Sequence, residues 1–205
     1  MATATIYAYG GGHVYGNNAT YSTARNTSRG YSYDLFVGQQ TGYYVRRPFI
    51  FFDTSSISSA ATITSVKFGM SVEYDNSNTD FNVYVTEQNW ADNGLGIYST
   101  PYPRETFYDN ALTTTPRFLW RSTSGLSVNT FYDGAAMTNN YVTKGGITKY
   151  SMISSRDLAG NTPSGNTPSG NEYIGIDDSL SNLNHRIRLT IEYTLPPSLP
   201  SIIWW

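Results

Sequence analysis

From Thr62 to Tyr74 the chain alternates between apolar and polar positions. Val66, Phe68, Met70, Val72 and Tyr74 fall on one parity, and Ser65, Lys67, Gly69, Ser71 and Glu73 on the other. A period of two predicts a β-strand with one face in a core and one in water. The alternation returns from Arg186 to Tyr193, where Ile187, Leu189, Ile191 and Tyr193 oppose Arg186, Arg188, Thr190 and Glu192. Shorter runs rich in aromatic and β-branched residues predict strands over Thr5 to Tyr9, Tyr31 to Val37, Tyr43 to Phe52, Asn82 to Glu87, Arg117 to Ser122, Ile147 to Ser154 and Glu172 to Ile176. Clusters of Gly, Asn, Asp, Ser and Pro separate them.

No segment sustains a 3.6-residue apolar period, so little helix is expected. Many short strands with turns between them predict an all-β domain, a jelly-roll-like antiparallel β-sandwich. Two connections are long, Asn89 to Pro116 and Asp157 to Asn171, and such loops commonly carry function. The sandwich is assigned to residues 1–194, followed by a Pro-rich apolar tail, 195–205, ending in Ile202, Ile203, Trp204 and Trp205. Within the second long connection, Gly160-Asn161-Thr162-Pro163-Ser164 recurs as Gly165-Asn166-Thr167-Pro168-Ser169. A polar Gly/Pro tract cannot bury a core, so the repeat reads as a duplication in a tolerant loop.

Composition narrows the functional classes. The 205 residues include 18 Tyr and 18 Gly but only 14% charged residues, so the polar surface is built mainly from uncharged hydrogen-bonding groups. A net charge of −2 offers no basic field for phosphates, which argues against nucleic-acid binding. Without cysteine there is neither a disulfide framework nor a thiolate metal site. No apolar run reaches the length of a membrane span, so no membrane insertion is expected. The start, Met1-Ala2-Thr3-Ala4-Thr5-Ile6, lacks the basic and apolar regions of a signal peptide. The chain therefore reads as a stand-alone module whose signal, if it is secreted, is removed or not used.

No catalytic motif emerges. His13 stands in what reads as a Gly-rich turn and His185 in a loop before a strand; neither has metal-ligand spacing, and both read as surface histidines. No nucleophile elbow, P-loop or dinucleotide fingerprint is present, so no catalytic residue, cofactor or metal is assigned. Glu73 to Asp80 offers closely spaced oxygen donors but lacks the central Gly and distal Glu of an EF-hand loop, so an Asx-rich turn is the plainer reading. The Asp177-Asp178 pair is read the same way. The rings of Trp90, Tyr98, Tyr102, Phe107 and Tyr108 in the first long connection are candidates for stacking on sugars; alternatively they pin the loop to the sandwich or fill a subunit contact.

A dispersed pattern across residues 43 to 194 carries a family resemblance. It comprises Arg47-Pro48-Phe49-Ile50-Phe51-Phe52-Asp53-Thr54-Ser55-Ser56-Ile57, then Ala61 to Phe68, then Val83-Tyr84-Val85 leading to Trp90, then Gly146 to Asp157 and the closing Arg188 to Tyr193. In order and spacing these segments resemble DNRLRE-type domains, jelly-roll modules related to carbohydrate-binding modules and found in bacterial surface proteins and phage structural proteins. The resemblance implies the fold more firmly than the task, because such folds host unrelated functions.

Two functions follow as expectations. The first is a non-enzymatic structural protein of a virion or surface assembly, such as a phage capsid decoration (cement) or fibre-associated protein. It would partner other assembly proteins, with homo-oligomers in view, and use Ile202, Ile203, Trp204 and Trp205 as an anchor. The second is a carbohydrate-binding or adhesive module with glycans as partners. Either places the protein on a virion surface or outside the cell.

Overall fold

A computed structural model describes residues 1–88, 104–137, 141–163, 170–177 and 184–197. These form, in chain order, β1 (Ala2–Asn17), α1 (Tyr21–Asn26), β2 (Gly30–Ser32), β3 (Leu35–Gln40), β4 (Tyr44–Asp53), β5 (Thr62–Ser77) and β6 (Asn82–Glu87). There follow α2 (Arg104–Thr113), β7 (Phe118–Ser122), β8 (Thr130–Asp133), β9 (Ile147–Ser154), α3 (Ser155–Ala159), β10 (Glu172–Ile176) and β11 (Arg188–Thr194). The strands pair antiparallel in the order β2-β1-β11-β5-β10-β3-β4-β9-β6-β7, with β8 on β5. An additional β1–β4 pairing closes a ring through β11, β5, β10 and β3. The architecture is an all-β antiparallel sandwich.

Two long strands stitch it together by changing partners midway. β1 pairs with β11 over Ala2 to Tyr7 and with β4 from Ala8 to Asn17, with a bulge between Ala8 and Gly10. β5 pairs with β11 over Thr62 to Gly69 and with β10 over Val72 to Ser77. The Gly-rich segment predicted as a turn is therefore the middle of a strand. Side chains there would collide: a Cβ on Gly12 would lie 2.5 Å from Ser32 O, and one on Gly11 2.9 Å from Phe49 O. Glycine here serves close backbone approach rather than chain reversal.

β4 shows why the sandwich has two cores. Ile50 and Phe52 enter the main core with Phe68, Met70, Val83, Tyr150, Met152 and Leu189. Phe52, Phe68 and Tyr150 meet edge to face there, with centroids 5.7 to 6.2 Å apart. The opposite parity, Val45, Phe49 and Phe51, packs under α1 and α2 against Tyr21, Ala24, Phe107 and Tyr108. A strand covered on both faces loses its polar alternation, and Pro48 to Phe52 reads as a continuous apolar run accordingly.

Little helix is expected and little is found; part of it, α2 and most of α3, lies in the two long connections. Both are short, and α2 offers only Phe107, Tyr108 and Ala111 to the core, too few turns to show a period. The predicted strand Tyr31 to Val37 is split at Tyr33 and Asp34 into β2 and β3. β8, of four residues, falls where the sequence pattern predicts no strand. Tyr74, predicted on the core side, is 49% exposed. The register shift opposite Gly175 and Ile176 gives β5 one extra residue, which turns the following side chains to the other face.

Candidate functional site

Two of the predicted sugar-stacking rings are excluded from that role. Phe107 is buried against Phe49 at 5.9 Å, and Tyr108 is fully buried, its hydroxyl donating to Ala24 O at 2.7 Å. Rings sealed beneath a helix cannot meet a ligand; they dock α2 on β4, which is the alternative reading of that loop. Trp90, Tyr98 and Tyr102, and the tail residues Ile202, Ile203, Trp204 and Trp205, lie outside the described residues, as does Asp178.

Tyr108 also covers Arg47, a buried cation at the centre of the helical layer. Arg47 Nε and Nη2 donate to Asp157 Oδ2 and Oδ1 at 2.7 and 2.9 Å, Nη1 to Tyr108 O at 2.7 Å and Nη2 to Arg25 O at 2.9 Å. The Tyr108 ring lies 3.8 Å from the guanidinium. Burial works against this charge, but the adjacent Asp157 carboxylate outweighs it and raises the Arg47 pKa. Asp157 sits in the first turn of α3, its N–H donating to Ser154 Oγ at 3.1 Å. Beside it, Tyr21 donates to Gln39, Gln39 to Glu172, and Arg156 grips Glu172 with Nε and Nη2. These groups satisfy one another, so the cluster ties three helices to the sheet and offers no open chemistry.

The next residue along β4 differs. Arg46 points to the other face, where its guanidinium lies 5.1, 5.5 and 5.3 Å from the ring centroids of Phe36, Tyr44 and Tyr173. Further rings continue the surface: Tyr15 meets Tyr44 at 5.9 Å, and Tyr74 stacks on Phe36 at 6.3 Å with planes inclined by 26°. The strands explain the gathering. β1, β4, β3, β10 and β5 are hydrogen-bonded neighbours here, with Tyr15 opposite Arg46, Tyr173 opposite Gly38 and Tyr74 opposite Gly175. Small residues leave room for the rings, and Tyr44 and Tyr74 are 37% and 49% exposed. Arg46 Nε and Nη1 are buried without a hydrogen-bond partner. This is an aromatic platform organised around a cation, with edges reachable from solvent.

Sequence reasoning missed the platform because its members come from five strands far apart in the chain. Only the abundance of Tyr and the Arg46-Arg47 pair hinted at it. His13 borders it and corrects a second expectation: it is 3% exposed, not a surface residue. Its ring lies 5.7 Å from Phe36, and Nδ1 donates to Asp34 O at 2.6 Å. Burial lowers its pKa from 6.5 to about 4. Between those values the unfolded chain takes up a proton that the folded one refuses, so stability falls as pH drops from 6.5 to 4. The loss reaches about 3 kcal/mol. Urea unfolding at pH 7 and pH 4 of wild type and His13→Gln checks this: the substitution should flatten the pH slope by that amount.

The remaining candidates are ordinary. Asp75 Oδ1 accepts from Ser77 N at 3.0 Å, and Asp80 Oδ1 from Thr123 Oγ1 at 3.1 Å. His185 Nδ1 lies 2.9 Å from Asp177 Oδ2. Among the described residues no three His, Asp or Glu side chains converge as metal ligands, and no helix is long and apolar enough to cross a membrane.

Compared with known proteins, the chain matches no family model and no curated sequence.

Proposed function

We propose that the protein is a non-enzymatic surface module, a structural or decoration component of a virion or other surface assembly, that presents the Arg46 platform to carbohydrate. The observation carrying this reading is the partly exposed aromatic surface on a rigid sheet. Burying side chains of this size is favourable, and sandwiches place such residues in the core. Tyrosines left open on one face, steadied from beneath by a guanidinium, are suited to the apolar faces of sugar rings. Their hydroxyls, with Asp34 in the link between β2 and β3 and Asn76 opposite Tyr173 on β5, can bond sugar hydroxyls. The virion or surface-assembly setting rests on the resemblance to jelly-roll modules of phage and bacterial surface proteins.

Titration of a broad glycan panel, followed by tyrosine fluorescence and calorimetry, tests the binding half. At least one glycan class should bind. Tyr44→Ala and Tyr74→Ala should each weaken it by about 1–2 kcal/mol, roughly five- to thirty-fold, without changing the melting temperature by more than a few degrees. A panel that gives no binding contradicts it. Light scattering of the full chain and of a chain ending at Thr194 tests the assembly half: a defined oligomer that the truncation dissolves supports an anchoring tail, and monomers of both argue against self-assembly.

A further inference from the structure

We infer that the platform's ligand is an acidic glycan, a sugar chain bearing carboxylates, with Arg46 as the carboxylate's partner. This deepens the carbohydrate-binding reading and rests on it. The case begins with an asymmetry between two adjacent arginines on β4. Arg47 has four hydrogen bonds and a carboxylate partner. Arg46 differs: among the described residues it forms no ion pair, and its buried Nε and Nη1 have no hydrogen-bond partner. Desolvated N–H donors of a cation are costly when unsatisfied, and ring faces compensate only the charge, not the hydrogen bonds.

Among the described residues, those packed around Arg46 do not supply the missing acceptor. Phe36, Tyr44, Tyr173 and Tyr15 surround it, and His13 is kept neutral by its own burial. Asp34 is the carboxylate whose charge acts on Arg46, but it is exposed, accepts from Ser32 Oγ at 3.0 Å, and makes no ion pair with Arg46. Glu73 is exposed beside Tyr74. A neutral sugar would offer Arg46 only hydroxyls. A carboxylate offers two acceptor oxygens in the geometry of the guanidinium edge, a charge-assisted pair. The sugar ring carrying it would rest on the flanking tyrosines. Binding then requires the flanking rings to shift enough for the carboxylate to reach the buried Nε and Nη1 while the sugar stays on the tyrosine faces.

The test compares a panel of uronate- and sialate-type oligosaccharides with their methyl esters, by calorimetry at low ionic strength on the full chain. Esterification keeps the ring faces and removes the charge. The expected result is a preference of at least tenfold for acid over ester in the wild type. Arg46→Gln should shrink the acid's advantage over the ester to within about twofold, whatever it does to the affinity the two share. Near-UV circular dichroism checks that variant's folding, and the wild-type comparison stands without it. Equal affinity for acid and ester, or a sulfated chain binding where carboxylated ones do not, overturns the inference while leaving carbohydrate binding intact. No binding of any acid, ester or neutral glycan overturns both.

Discussion

Replacing Arg47 by Met is expected to destabilise the protein by about 3–5 kcal/mol, because it leaves the Asp157 carboxylate buried without its partner. For a chain of this size that corresponds to a fall in melting temperature on the order of 10 °C. Asp157→Asn should cost a similar amount, since it strands the guanidinium. The double variant Arg47→Met, Asp157→Leu should recover part of the loss, because neither charge then remains buried. Thermal and urea unfolding of the three variants checks this. Single substitutions costing under about 1 kcal/mol would show that the pair is not the tie between α1, α2, α3 and β4 that its four hydrogen bonds describe. Glycan affinity should be unaffected in whatever fraction remains folded, since Arg47 faces away from the platform.

Gly16→Ala should be comparably severe. A Cβ at Gly16 would fall 1.8 Å from Ala24 O, 2.6 Å from the Tyr108 hydroxyl and 2.8 Å from Thr27 O. No rotamer relieves an overlap with backbone oxygens, so α1 must lift from β1 and the Tyr108 to Ala24 hydrogen bond must break. Overpacking with the loss of a buried hydrogen bond costs about 3 kcal/mol or more. The expected outcome is a lowered urea midpoint together with a tyrosine signal change reporting exposure of Tyr108. A variant as stable as wild type would mean that α1 is held less tightly against β1 than these distances require.

The two variants bear on what sequence reasoning could see. The strands of the main core were legible because their alternation is local: β6, β9 and β10 fall where Asn82 to Glu87, Ile147 to Ser154 and Glu172 to Ile176 predict them. The helical layer was not, because it exists through tertiary pairing. Phe107 and Tyr108 look like any exposed loop aromatics until Phe49 and Arg47 are placed beneath them, 58 to 61 residues earlier in the chain. Arg46 and Arg47 are indistinguishable in sequence, yet strand parity sends one into a closed ion pair and the other under open rings. The platform was hidden for the same reason, and Tyr74 joins it only through a bulge that no periodicity announces.

The measurement that bears most directly on the platform as the working surface is chemical-shift mapping by NMR with the best-binding member of the glycan panel. The account predicts perturbations concentrated at Tyr15, Phe36, Tyr44, Arg46, Tyr74 and Tyr173. Perturbations confined to other faces of the sandwich, with these six unmoved at saturation, would contradict it.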